Sequence, residues 1–208
     1  MIFPVLVWLT LNSCGVENGI DEKGSRLTIE KQNVFEDTFT HQQKAWKSKE
    51  GMWIFDNNTV TQKATDRYFP LLLLQGKPYI NLDVSVDFMP ISGRIDASGG
   101  VVFRAVDAKN YYIVRANALE DNFRLYYFKN GSRYEISSAT VTPPSFKQYS
   151  TIRVVAKGDH IQAYLNGTLC IDHHDNTFSQ GYVGLWTKAD SVTTFDNFKV
   201  SGALSSSH

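Results

Sequence analysis

The chain has 208 residues, 42% of them apolar and 20% charged, enough for an ordinary globular domain with its own core, so disorder is excluded as its main state. Its 21 basic residues are balanced by 21 acidic ones, and a pI near 7 gives no net attraction to a phosphate backbone or an anionic membrane, which argues against nucleic acid as a partner. Aromatic residues make up 13%, and with abundant Val, Ile and Thr they favour pleated strands over helices.

The chain opens with an apolar run, 1–11 (MIFPVLVWLTL), followed by Asn12, Ser13, Cys14 and Gly15. This run is shorter than the roughly 20 residues that cross a bilayer, so it reads as an export signal. Leu11-Asn12-Ser13-Cys14 resembles a bacterial lipobox, which implies cleavage before Cys14 and a lipid on the new N-terminus. No Lys or Arg precedes the run, a departure from the usual export pattern. A buried N-terminal strand is the other reading of the same residues. On the export reading, residues 1–14 are the signal and lipobox segment, 15–33 a polar tether, 34–202 a β-sandwich domain and 203–208 a tail. The chain is then an exported cell-surface or periplasmic lipoprotein that meets the membrane only through its lipid. Cys170 is left without a disulfide partner and reads as a small apolar residue in a strand.

From Val34 onward the sequence breaks into short β-type runs separated by turn residues, with no sustained helical period. In Asn81 to Met89, Leu82, Val84, Val86 and Phe88 share one face and Asp83, Ser85 and Asp87 the other, so one face is buried and one wet. Val101 to Ala105 and Tyr111 to Asn117 follow, joined by a turn at Asp107-Ala108-Lys109-Asn110. Phe123 to Phe128 leads to Asn130-Gly131, a hairpin signal because Asn-Gly accepts the positive φ of a type I′ turn. Thr151 to Lys157, His160 to Leu165 and Leu169 to Asp172 form further hairpins, the last through Asn166-Gly167, and Gly181 to Lys188 and Thr194 to Val200 close the series. About a dozen strands at this spacing predict an all-β, two-sheet antiparallel sandwich.

The runs Ser98 to Gly131 (SGGVVFRAVDAKNYYIVRANALEDNFRLYYFKNG), Thr151 to Gly167 (TIRVVAKGDHIQAYLNG) and Asp175 to Val200 (DNTFSQGYVGLWTKADSVTTFDNFKV) resemble jelly-roll domains of the concanavalin A-like lectin/glucanase superfamily. The nearest branch is the 3-keto-disaccharide hydrolase or laminin-G-like one of secreted bacterial proteins. Upstream, Phe35 to Thr61, with Trp46, Gly51 and Trp53, is similar to that family's opening strands. The resemblance specifies a fold but not a function, because the superfamily hosts lectins, hydrolases, lyases and spacer domains. Its retaining β-glucanases carry a Glu-x-Asp-x-x-Glu strand that sets two carboxylates about 5–5.5 Å apart. That motif does not occur here. The nearest acidic strand, with Asp83 and Asp87, reads as a solvent face.

Strand alternation also predicts which side chains share a face. With Phe103, Tyr112, Val114, Phe123, Leu125, Tyr127, Val183 and Leu185 inward, one sheet would present Arg104, Tyr111, Arg115, Asn117, Arg124, Tyr126, Trp186 and Lys188 outward. That mixture suits carbohydrate: aromatic rings pack on the C–H face of a sugar, and Arg and Asn supply directional hydrogen bonds to its hydroxyls. Several guanidinium groups would also favour an anionic oligo- or polysaccharide through bidentate bonds. The bland reading of the same residues is a solvated sheet covered by long side chains. Glu120, in the loop after Asn117, is the candidate general acid or base, and equally a normal turn residue.

Asp172-His173-His174-Asp175 places four ligand-type residues in a row, but consecutive strand residues face opposite ways, so at most two could meet one ion. It reads as an exposed strand end, and no metal site is assigned. No cofactor is assigned, and calcium stays open, since laminin-G-like relatives can hold it with Asp and backbone oxygens that leave no sequence signature. The sequons at Asn57, Asn130 and Asn166 are explained by turn chemistry. The preferred function is glycan capture at the bacterial surface. The rivals are a 3-keto-disaccharide-type cleaving enzyme, with Glu120, Arg104 and Arg115 near the reaction centre, and a non-binding structural or adhesion domain.

Overall fold

The computed structural model of the protein describes residues 19–20, 26–27, 32–40 and 44–205. In the unit formed by residues 1–31, the described backbone is a short antiparallel ladder of β1 (Gly19–Ile20) and β2 (Arg26–Leu27). Cys14 and its lipobox lie outside the described residues.

The second unit begins with β3 (Asn33–Asp37), β4 (Trp46–Glu50), β5 (Trp53–Asp56), β6 (Thr59–Gln62), β7 (Leu71–Leu74) and β8 (Tyr79–Ser92). It continues with β9 (Ser98–Asp107), β10 (Asn110–Asn117), β11 (Asn122–Lys129), β12 (Ser132–Thr140), β13 (Ser150–Lys157), β14 (His160–Leu165), β15 (Thr168–His174), β16 (Tyr182–Trp186) and β17 (Val192–Leu204). No helix occurs among the described residues. One antiparallel sheet has the order β12-β11-β10-β9-β16-β7-β4, the other β15-β14-β13-β8-β17-β6-β5, with β3 also paired to β17. The sequence expectation of a two-sheet sandwich therefore holds.

Period-two patterning builds this architecture. Leu82, Val84, Val86 and Phe88 of β8, Ile152, Val154 and Ala156 of β13, and Phe195, Phe198 and Val200 of β17 face Val101, Phe103, Tyr112, Val114, Phe123, Leu125, Val183 and Leu185 of the first sheet in one continuous core. Tight turns join the strands where the sequence signalled them: Asn130 and Gly131 have φ of 53° and 82°, Asn166 and Gly167 of 50° and 81°. On the other side of β8 the acidic residues are bound within the sheet. Arg153 holds Asp83 with two hydrogen bonds of 2.8 and 2.6 Å, and Asp87 accepts from Thr151 Oγ1 at 2.5 Å and Asn197 Nδ2 at 2.9 Å. These carboxylates tie neighbouring strands together.

Candidate functional site

The outer face of the first sheet, turned away from the second, brings most of the sequence-predicted residues together. Strand register pairs Arg124 with Arg115, Arg115 with Gly100, Gly100 with Trp186 and Trp186 with Leu71. Arg124, Arg115 and Trp186 thus stand in one row across four strands. Gly100 keeps the row's centre open to its neighbours, since a Cβ there would lie 2.6 Å from Ile113 Cδ1 and 2.9 Å from the Val114 carbonyl oxygen. Farther along the strands, Tyr126 pairs with Ile113 and Tyr111 with Phe128.

This face is not the solvated surface that the bland reading anticipated. Leu71, Leu73, Val102, Ile113, Tyr111, Tyr126, Phe128 and Trp186 form a second buried cluster, with Phe69 and Tyr182 packed against it. Phe69 stacks on Trp186 at 5.8 Å and meets the Phe128 ring edge-on at 4.9 Å, while Tyr111 stacks on Phe128 at 4.5 Å. The Arg133 guanidinium lies 4.7 Å over the Tyr126 ring and 5.7 Å from that of Phe69. Tyr111 is buried, and that burial pushes its hydroxyl pKa up. One end of the face opens as a groove of about 220 Å³ lined by Phe69, Tyr111 and Phe128, with Lys49, Glu50 and Lys109 at its rim.

The other end is polar. Arg115, only 1% exposed, donates from Nη2 to Glu120 Oε2 at 2.8 Å. Glu120 also accepts from Asn117 Nδ2 at 3.1 Å and Asn122 Nδ2 at 2.9 Å. Burial acts to raise the Glu120 pKa, but the hydrogen bonds from Arg115 and Asn122, with the positive charges of Arg115 and Arg124, outweigh it and bring the value from 4.5 down to about 2. Arg124 donates to the Tyr126 hydroxyl at 3.2 Å and pairs with Glu135 at 3.4 Å. Arg115 Nε and Nη1, Arg124 Nε and Trp186 Nε1 are buried donors without hydrogen-bond partners among the described residues. These N–H groups are sealed from solvent within the sheet, so the polar side chains that a ligand can reach beside the aromatic groove are Lys49, Glu50 and Lys109 at its rim.

Four predicted residues do something other than expected. Arg104 does not join the outer face. Its φ is +48°, and the register slips from Val102 opposite Gly184 to Ala105 opposite Tyr182, a bulge that turns Ala105 outward and Arg104 toward the second sheet. There its guanidinium holds the Ile80 carbonyl at 3.1 and 3.3 Å and the Phe178 carbonyl at 3.2 Å. The Asn117 side chain is fully engaged, accepting from the Ala97 and Leu119 amides at 3.1 and 2.9 Å while donating to Glu120, so it shapes the loop that carries the carboxylate. Lys188 is bound at 2.9 Å to the buried Asp96, which also accepts from Ser191 Oγ at 3.2 Å. Glu120, the candidate general acid or base, is held ionised by its three donors and closes the Arg115 end of the row.

Sequence reasoning missed Phe69, Phe128 and Arg133. Phe128 was legible, since it shares parity with Tyr126 on β11. Phe69 precedes its strand, and a bulge opposite Leu125 and Tyr126 shifts the register of β12, which carries Arg133, so simple alternation signals neither.

Residues 31–201 match the family described as the 3-keto-alpha-glucoside-1,2-lyase-like domain, and the chain belongs to that family. It is 27% identical over 162 residues to the levanase of Bacillus subtilis (strain 168), covering 76% of this chain but only 23% of the levanase. The structure is similar to carbohydrate binding module CBM66 from Bacillus subtilis, with a TM-score of 0.69 and 26% identity over 74% of this chain and 94% of the module. It also resembles the Bacillus licheniformis beta-glucanase, with a TM-score of 0.61 and 12% identity over 81% of this chain and 97% of the enzyme, a likeness of fold alone. The sandwich is thus a concanavalin A-like jelly roll, as the sequence resemblance implied.

Proposed function

We propose that this member of the 3-keto-alpha-glucoside-1,2-lyase-like family is a carbohydrate-binding sandwich that takes an oligo- or polysaccharide on the outer face of its first sheet. The observation that carries the reading is the similarity to CBM66 over 94% of that module at 26% identity. The site supports it through the Phe69–Tyr111–Phe128 groove for a sugar's C–H face, with Lys49, Glu50 and Lys109 at the rim for its hydroxyls. Each of Arg115, Arg124 and Lys188 already faces a carboxylate, which favours a neutral glycan over the anionic one that counting guanidinium groups suggests.

Cleavage is the second reading, favoured by the family's lyase-like description. Eliminating a glycosidic bond requires a base to remove a proton, and the carboxylate bound to Arg115 in the row, Glu120, is held near pKa 2 by three donors, which makes it a weak base. The test incubates the full chain with 3-keto-glycosides and with levan, α-glucans and uronate polymers, with and without divalent metal, and measures both retention and released sugar. Retention without product is expected; released product that disappears in Glu120→Gln would overturn the binding reading. Export and lipid anchoring at Cys14, and with them a place at the cell surface, belong to the same proposal and rest on the 1–14 sequence. Labelling cells with a radioactive fatty acid should mark the wild-type chain and not Cys14→Ser.

A further inference from the structure

The solvent face of the second sheet carries a group of side chains that the glycan reading does not use. In Asp172-His173-His174-Asp175, alternation sends Asp172 and His174 to one face, while Asp175 instead accepts from the Tyr112 hydroxyl and, at 2.8 Å, from the Thr177 amide. The adjacent strand supplies the third member, because His160 on β14 is the register partner of His174 on β15. One ligand-type atom from each of His160, Asp172 and His174 lies within 4.8 Å of the others. We propose that these three residues bind one divalent first-row transition ion, of which Zn²⁺ is the reference case, and that the ion clips the edge strand β15 to β14.

The donor set fits such an ion better than calcium. Two imidazoles and one carboxylate suit zinc, copper or nickel, whereas calcium takes oxygen ligands almost exclusively. Bonds of about 2.0–2.1 Å to tetrahedral ligands set donor atoms about 3.3 Å apart, so His160 Nε2 and Asp172 Oδ1 open slightly from 2.7 Å while His174, within 4.8 Å of both, draws in. Neighbouring groups already orient it. Gln162 Nε2 donates to Asp172 Oδ2 at 2.9 Å and leaves Oδ1 toward His160 Nε2, 2.7 Å away. Asp159 Oδ1 sits 3.2 Å from His174 Nδ1, the carboxylate–histidine arrangement that holds a ring by one nitrogen and frees the other. The two imidazoles now stack in parallel at 4.6 Å, and one must turn about χ2 to aim at a shared ion. Their side chains are 38% and 64% exposed, so nothing packed on them prevents the turn.

The test titrates the full chain, purified without a histidine tag, with ZnCl₂ by calorimetry and follows the melting temperature, while Cu²⁺ electron paramagnetic resonance reads the nitrogen ligands. One ion per chain, a raised melting temperature and two coordinated nitrogens are expected. His160→Ala, His174→Ala and Asp172→Asn should each weaken binding about tenfold or more. His173→Ala, on the neighbouring strand position, should leave it unchanged. Absence of binding, or binding that survives His160→Ala and His174→Ala or falls equally in His173→Ala, would overturn the proposal. All substituted groups are surface side chains, and circular dichroism of each variant verifies that the fold is intact.

Discussion

Replacing Glu120 by Gln removes the charge that faces Arg115 and keeps the shape of the side chain. Bringing a carboxyl from 4.5 to about 2 corresponds to at most about 3 kcal/mol of preference for its ionised form in the folded chain. The side chain is 32% exposed, so solvent screens part of this, and about 1–2 kcal/mol is expected. The folded value lies below the unfolded one, so the contribution is fully present above about 4.5 and is lost as pH falls through about 2. Urea unfolding at pH 7 should show Glu120→Gln less stable than wild type by about 1–2 kcal/mol, and the gap should narrow between pH 4.5 and 2.5. A variant as stable as wild type at pH 7, or a gap that does not change in acid, would refute the view that Arg115 is neutralised by this carboxylate. The double variant Arg115→Met with Glu120→Gln should recover much of the loss, because it leaves no unpaired charge in the buried row.

Other consequences separate binding from folding. Lys109→Ala at the groove rim should weaken glycan retention several-fold while leaving the urea midpoint unchanged, since its side chain is exposed; unaltered retention would place the ligand elsewhere. Arg104→Met should lower stability by about 2–3 kcal/mol through loss of the Ile80 and Phe178 carbonyl bonds, with retention by the folded protein preserved; lost retention in a normally stable variant would return Arg104 to the site. Trp186→Ala should cost about 3–5 kcal/mol, since the indole is fully buried against Phe69 and its neighbours, as measured by thermal unfolding. Two glycines should differ sharply in soluble yield and melting temperature. Gly167→Ala meets nothing within 4 Å and bears only the strain of φ +81°, about 1 kcal/mol, whereas a Cβ on Gly184 would lie 2.2 Å from the Leu72 carbonyl oxygen and force strands apart.

The sandwich was legible because its signals are local. Alternation in β8, β10, β11 and β13 assigns each side chain to a face from its own strand, and Asn-Gly pairs specify their turns through the backbone freedom of two residues. The same parity set Arg115, Arg124, Tyr111, Tyr126 and Trp186 on one face. What failed depended on residues far along the chain. A bulge at Arg104 reversed its direction, and the carbonyls of Ile80 and Phe178 that receive it belong to other segments. Lys188 found Asp96 across 92 residues, and Phe69 came from the approach to a different strand to lie on Trp186. His160 and His174 became neighbours only once β14 and β15 paired. Period-two patterning can therefore tell which way a side chain points along a regular strand, but register slips and cross-strand partners are settled by the assembled sheets, and these decide whether a polar group is free for a ligand or already held.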